Sequence, residues 1–325
     1  MKDEKKLTFV LNFPAVLVLL WLVLSGCSQQ PSVLSGKALT VPYTIIIGSS
    51  LSAKQEKEIV EMLQIVFEEI DLVFNDWNPH SEISQLNHLK GNVEVPISSK
   101  LEHLFQKIDK IVKLTKGLFD PTVGGLSKLW KNALEQGMQP NEAALAQARK
   151  AVGWEKIHFE KGVFYKDNDD TQIDLGSVVK GYCVDLIIEN LQRIGYENAL
   201  VNWGGEVRAN GKHPEDRPWR VFISNSGNND PNASLGEVEL LDQAVATSGN
   251  YLQKWTIVHK GTPITYTHII HPQTGFPLIV NEKSIASISV VAPTCFMADA
   301  MATAGILGYE IDEPECIHYI RSSWR

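Results

Sequence analysis

Apolar residues recur at helical intervals through the first half of the chain, and strand-like runs dominate the second. Ile59, Met62, Leu63, Val66, Phe67 and Ile70 fall three or four positions apart and predict an amphipathic helix over about 52–73. A β-rich segment, Val41–Ile47, precedes it. A polar loop carrying Trp77, Pro79 and Asn87 follows, then a helix around 99–115 and two more near 125–136 and 141–152, the last opened by Pro140-Asn141-Glu142. Short strands near 156–166 lead to a helix after Asp174. From 197 to 292 the segments ALVNWGGEV, WRVFIS, GEVELL, AVATSG and THII read mainly as antiparallel strands. The apolar run SISVVA (287–292) then passes through a Pro-containing turn into a helix. Strands and helices mix without a Rossmann rhythm or an internal repeat. The expected class is α+β, a mixed, mainly antiparallel sheet packed with helices.

The N-terminus changes the picture first. MKDEKK is a short, net basic start, and an almost uncharged apolar run from Leu7 to Leu24 ends in Leu24-Ser25-Gly26-Cys27. A basic start, an apolar stretch and small residues before a cleavage point describe an export signal rather than a fold element. With Cys directly after Ser-Gly, the segment resembles a bacterial lipoprotein signal, with Cys27 lipidated as the mature N-terminus. An uncleaved membrane anchor is the alternative, since about 18 apolar residues is borderline for spanning. Both place the body outside the cytoplasm. The expected organisation is a signal over 1–26, a polar tether over 27–37 and one domain over 38–325. A membrane-anchored lipoprotein facing the periplasm is the expected location.

Composition excludes more than it proposes. A formal charge of −8 without a basic block argues against a nucleic-acid partner. Besides Cys27 there are Cys183, Cys295 and Cys316, too few and too unevenly spaced for a disulfide framework or a zinc site. Cys183 and Cys295 lie in apolar helical patterns and are expected as buried thiols.

The candidate chemistry lies in five segments. In APTCFMADAMATAG (292–305), Asp299 and Thr303 are four apart, which puts a carboxylate and a hydroxyl on one helical face among Ala298, Ala300, Ala302 and Ala304. Two hard oxygens beside a slim backbone suit Mg²⁺, which takes one or two protein carboxylates and leaves room for phosphate oxygens. An ordinary acid near a helix start is the plain alternative. In Gly117–Gly125 (GLFDPTVGG), Asp-Pro and Gly-Gly turns open a helix whose free N–H groups suit a phosphate. In Asp174–Gly181 (DLGSVVKG) a strand turns into a helix presenting Lys180, without the spacing of a P-loop. The two glycines of Asn202-Trp203-Gly204-Gly205-Glu206 let a ligand or strand approach the backbone. In His268–Pro277, strand alternation puts His268 and His271 on opposite faces, so one of them at most faces a given pocket.

In this order FDPTVGGLSKLW, DLGSVVKGYCVD, NWGGEV, ATSGNY, THIIHPQTGFP and APTCFMADAMATAG, preceded by NDWNPHSEISQLN, resemble the FAD:protein FMN transferases, the ApbE flavin transferases. The similarity runs from about 60 to 308. It implies an α+β fold with a flavin site in a cleft between the sheet core and a helical part. It also implies an Mg²⁺-dependent enzyme that moves FMN from FAD onto a Thr or Ser hydroxyl of a target protein, releasing AMP. Carried over by position, the resemblance implies metal contacts from the side chains of Ser177, Asp299 and Thr303 and from the Ala302 carbonyl, and FAD contacts from Leu118, Phe119, Asp120, Thr122, Asp174, Lys180 and Leu278. Trp77 stands at the family's loop aromatic. His268 stands at the position best suited to acid–base work, with an ordinary pKa in the right range. The implied partners are FAD, an acceptor protein (a membrane electron-transfer subunit), and the lipid membrane through Cys27. The chain departs from the family at His271, where most members carry Asp, and at Val41-Pro42-Tyr43, where they carry a Met-Gly-Thr strand. An FAD pyrophosphatase using water as nucleophile and a non-catalytic FAD-binding lipoprotein are the competing readings.

Overall fold

The computed structural model describes residues 30–224, 234–250, 253–281, 284–312 and 318–323. The expected signal, Cys27, Cys316 and Tyr251 of the ATSGNY segment lie outside the described residues. The chain begins with a hairpin, β1 (Ser32–Ala38) and β2 (Val41–Ile47), turned by Leu39 and Thr40 at φ 48° and 69°. Residues 32–37, expected as part of a tether, are therefore an edge strand. The polar composition that suggested a linker is what an exposed edge strand tolerates.

Helix α1 (Ala53–Glu69) starts at a capping box in which Ser52 and Gln55 satisfy each other's main-chain N–H groups. Its buried face is Ile59, Leu63, Val66 and Phe67, and a π turn (Ile70–Phe74) continues it, so the long helical period is realised. The polar loop contains a short helix α2 (Glu82–Asn87) and is followed by β3 (Val95–Pro96) and α3 (Ser99–Leu114). Then come α4 (Gly124–Glu135), α5 (Glu142–Ala151), the hairpin β4 (Ile157–Glu160) and β5 (Val163–Lys166), and α6 (Val179–Arg193). The second half supplies β6 (Ala199–Trp203), β7 (Glu206–Asn210), β8 (Trp219–Ile223), β9 (Gly236–Leu240), β10 (Ala244–Gly249), β11 (Lys254–His259), β12 (Thr262–His271), β13 (Phe276–Ile279) and β14 (Ile285–Ala292). Helix α7 (Cys295–Ile306) and strand β15 (His318–Ser323) close the chain.

The main sheet has seven strands in the order β1-β2-β6-β7-β10-β14-β15. Every pairing between the described strands of this sheet is antiparallel, in keeping with the expected α+β class. Smaller sheets are β11-β12-β13, β3-β5-β4 and β8-β9. The largest core joins α1, α3 and α6 to β2 and β6, through residues such as Ile59, Phe105, Ile187 and Ile45. Helix α7 is buried on almost every side, because α6 packs against it on one flank and β10 and β14 on others. Its alanines permit that approach. Cys183 and Cys295 are buried free thiols, as expected.

Candidate functional site

A cavity of about 1410 Å³ opens between the main sheet, the α4 region and the β11–β13 sheet. Two of the sequence segments form one wall together. Asp120 Oδ1 accepts from the N–H and hydroxyl of Thr122 (2.9 and 2.6 Å), and Oδ2 accepts from the Trp154 N–H (3.1 Å). Thr122 Oγ1 accepts in turn from the Gly153 N–H at 2.7 Å. The carbonyl of Pro121 accepts from the Asp174 N–H at 2.8 Å, so this turn carries the next one. Behind Asp174, the Asn87 amide makes two bonds to the main chain of Ile173, at 2.8 and 2.7 Å. The buried Lys166 ammonium donates to the carbonyls of Asn87, Asp169 and Thr171. This frame is internally satisfied.

The opposite side is charged and less complete. The Lys180 ammonium pairs with Glu206, whose Oε2 is buried without a hydrogen-bond partner. Asp299 is 4% exposed, on the second turn of α7, with Oδ2 accepting from the Gly181 N–H at 3.2 Å. It is more deeply buried than an acid near a helix start would be. Gly181 permits this contact, because a Cβ there would stand 2.4 Å from the Cys295 carbonyl oxygen. Asp185 fixes the helix start by accepting from the Cys295 and Phe296 N–H groups (2.8 and 2.9 Å), while Arg208 neutralises it at 2.7 Å. Burial pushes Asp299 well above the usual carboxylate range, and the charge of Glu206 adds to it, against the pull of Lys180. Burial alone would lower Lys180, but Glu206 and Asp299 hold it above its ordinary value.

The rim carries aromatic and titratable groups. The Trp77 ring is 79% exposed at the cavity, with the Lys131 ammonium 5.0 Å from its centroid, an arrangement ready for stacking. Asp76 lines the same wall, and burial together with the charge of Asp174 pushes it up to about 6. His268 faces the cavity, its Nδ1 3.4 Å from the Gln253 carbonyl oxygen. A carbonyl can only accept, so Nδ1 carries the proton and Nε2 presents a lone pair. Desolvation by the surrounding walls pulls His268 below its ordinary value, against the opposing influence of the Gln253 carbonyl and Asp174. His271 lies off the cavity with Nδ1 buried and unpartnered, as strand alternation required.

The structure brings Trp77, Leu118, Phe119, Asp120, Asp174, Ser177, Lys180, His268, Asp299 and Thr303 to one cavity. It does not bring Thr122, Leu278 or Ala302 there. The Thr122 side chain is spent inside the turn, the Leu278 side chain packs against the apolar cluster of Ile288, Val290 and Met301, and the Ala302 side chain is part of that cluster, which leaves its carbonyl as the group the resemblance concerns. Asp120 lines the wall with both carboxylate oxygens already engaged. Sequence reading missed Asp76, Lys128, Lys131, Glu206 and Ser248, though all five lie within or beside the quoted motifs. Only their convergence from separate elements marks them.

Among the described residues no three His, Cys, Asp or Glu side chains form a metal cage, and no helix is long and apolar enough to cross a membrane. The donors present nevertheless fit a hard divalent cation. Two buried carboxylates, Asp299 and Glu206, face one ammonium, one carboxylate oxygen is orphaned, and Ser177 and Thr303 add hydroxyls to the same cavity.

Residues 39–315 match the model of the ApbE family. The FAD:protein FMN transferase of Chlamydia pneumoniae is 39% identical over 289 residues, 88% of each chain. That of Haemophilus influenzae is 29% identical over 299 residues, 89% of this chain and 84% of its own. Among solved structures, the flavin transferase ApbE of Vibrio cholerae superposes with a TM-score of 0.73 at 25% identity, covering 90% of this chain and 97% of its own. The ApbE protein of Thermotoga maritima gives 0.72 at 27% identity, covering 87% and 88%.

Proposed function

The chain belongs to the ApbE family, and from that premise we propose that it is an FAD:protein FMN transferase acting on a Thr or Ser hydroxyl of a target protein. The observation that carries this reading is the meeting in one cavity of an exposed aromatic ring, an imidazole held through Nδ1 by the Gln253 carbonyl and a buried carboxylate pair with one oxygen unpartnered. The acceptor oxygen forms a bond to the FMN phosphorus while the P–O bond to the AMP phosphate breaks. The hydroxyl proton passes to Nε2 of His268, and AMP leaves as its phosphate. His268 is suited to this because its Nδ1–H is held by the Gln253 carbonyl.

Asp299 and Thr303, with Ser177 and the free oxygen of Glu206, would hold Mg²⁺. When bound, that ion neutralises the pyrophosphate charge that repels an incoming oxygen. Lys180 orients Glu206 toward it, and Gly181 holds Asp299 through its N–H. Trp77 would stack on the flavin ring, and Lys128 and Lys131 add positive charge along the same wall. The lipoprotein pattern ending at Cys27 supports anchoring at a membrane with the body in the periplasm, where a membrane electron-transfer subunit would be the acceptor. Incubating the soluble body with FAD, Mg²⁺ and Thr-containing peptides, then weighing the peptides, tests the reaction. Addition of one FMN unit to the peptide supports it. Free FMN and AMP with unmodified peptide would make the protein a pyrophosphatase.

A further inference from the structure

Strand β10 pairs with β14 along all six of its residues, but with β7 only at Ala244↔Arg208 and Val245↔Val207. In an antiparallel strand, successive residues direct their N–H and C=O to alternate edges. The phase is fixed here from both sides. The Asn250 N–H donates to the Ala286 carbonyl at 3.0 Å, so the even-numbered residues 244–250 bond to β14. The Ala209 N–H donates to the Gln243 carbonyl at 2.9 Å, so Gln243 and Val245 bond to β7. The 2.8 Å contact between the hydroxyls of Thr247 and Ser289 agrees, since side chains approach closest in pairs that exchange no main-chain bonds.

Thr247 and Gly249 therefore turn their N–H and C=O toward the side β7 has left. β7 stops at Glu206, and its continuation is the Gly204-Gly205 hairpin turn, at φ 69° and 109°. No described main-chain group bonds to Thr247 or Gly249 on that side, and both residues line the cavity. The result is an open strand edge, two residues long in the bonding phase, facing a reaction site. Its two bonding positions lie about 7 Å apart, the repeat of an extended chain.

We propose that this edge of β10 binds the acceptor polypeptide as an added strand, a reading that rests on the transferase function above. Two further observations favour a polypeptide. The cavity, about 1410 Å³, is larger than the roughly 300–1,000 Å³ typical of a small-molecule site, and leaves room for a second ligand beside the dinucleotide. The edge also adjoins the chemistry, because Ser248 Oγ is hydrogen-bonded to Thr303 Oγ1 at 3.0 Å. Strand addition gives affinity through main-chain bonds, so it holds an extended segment in register while leaving its hydroxyl residue free to point at the phosphorus.

Thr247→Pro tests this directly. It deletes one cavity-facing N–H, spares the main-chain bonds to β14 while removing the hydroxyl contact with Ser289, and asks of Ala246 only the extended backbone it already has. The KM for a Thr-containing peptide should rise at least tenfold, while the affinity for FAD, read by flavin fluorescence, stays within twofold. A matched rise for FAD would assign the edge to the nucleotide and overturn the proposal. A second measurement needs no variant. Peptides N-methylated at alternate residues should lose acceptor activity in one phase only, and amide exchange at Thr247 and Gly249 should slow with peptide but not with FAD alone. Equal activity of both N-methylated phases would overturn strand addition and leave the transferase reading intact. A wild-type protein that modifies no Thr peptide would remove that reading and this one with it.

Discussion

The two walls of the cavity treat buried polar groups in opposite ways. On one, Asp120, Thr122, Asn87 and Lys166 are bonded to one another or to main chain, with every carboxylate oxygen of Asp120 and every polar atom of the Asn87 amide occupied. On the other, Glu206 keeps an orphaned oxygen and Asp299 shares one lysine with it. A satisfied buried network stabilises and rigidifies, whereas an unsatisfied one costs stability unless a ligand completes it. The first wall is thus a frame and the second, on the function proposed above, a receptor, although both carry buried polar groups.

Substitutions on each wall should part stability from activity. Asp299→Asn should reduce transfer by about 10²–10³-fold, while the urea midpoint stays equal or rises, because one charge leaves an over-acidic site. Full activity of this variant, or in excess chelator, would end the receptor assignment. Asn87→Ala should do the reverse. It leaves two buried main-chain groups of Ile173 unpaired, at about 1–3 kcal/mol each, and should lower the unfolding free energy by about 2–6 kcal/mol. Denaturation in urea reads this, and an unchanged midpoint would break the frame assignment.

His268→Ala should slow the transfer step about 10²-fold with FAD affinity nearly unchanged, as single-turnover kinetics would resolve. Lost FAD binding at normal saturated turnover would make His268 a binding residue instead. A last effect concerns Asp76. Its folded pKa of about 6 lies above the value in the unfolded chain, so the native state binds more protons between about pH 4 and 6. Stability from this group should fall as pH rises through that window, by up to about 3 kcal/mol. Asp76→Asn should flatten that slope in urea titrations at several pH values.

Much of this was legible in the residues. The Ile59–Ile70 period gave the helix of α1, though not the π turn that ends it, and alternation placed His268 and His271 on opposite faces. The spacing of Asp299 and Thr303 put both on the cavity side of α7. Other features gave no local signal. Ser32–Ala38 is polar enough to read as a tether, and it becomes a strand only because β2 accepts it as an edge. Thr122 carries the same motif as its neighbours, yet its hydroxyl donates to Asp120 two residues away and accepts from Gly153, 31 residues away, a contact no local pattern shows.

By itself the sequence determined the element periods, the turn glycines and the set of chemically able side chains, because these depend on neighbours within a few residues. The tertiary structure alone decided which of those side chains are satisfied. Glu206 meets Lys180 across 26 positions, Gly181 meets Asp299 across 118, and β7 parts from β10 after two pairs. Whether a buried polar group is frame or receptor depends on partners distant in the chain, and so does whether a strand edge is closed or open.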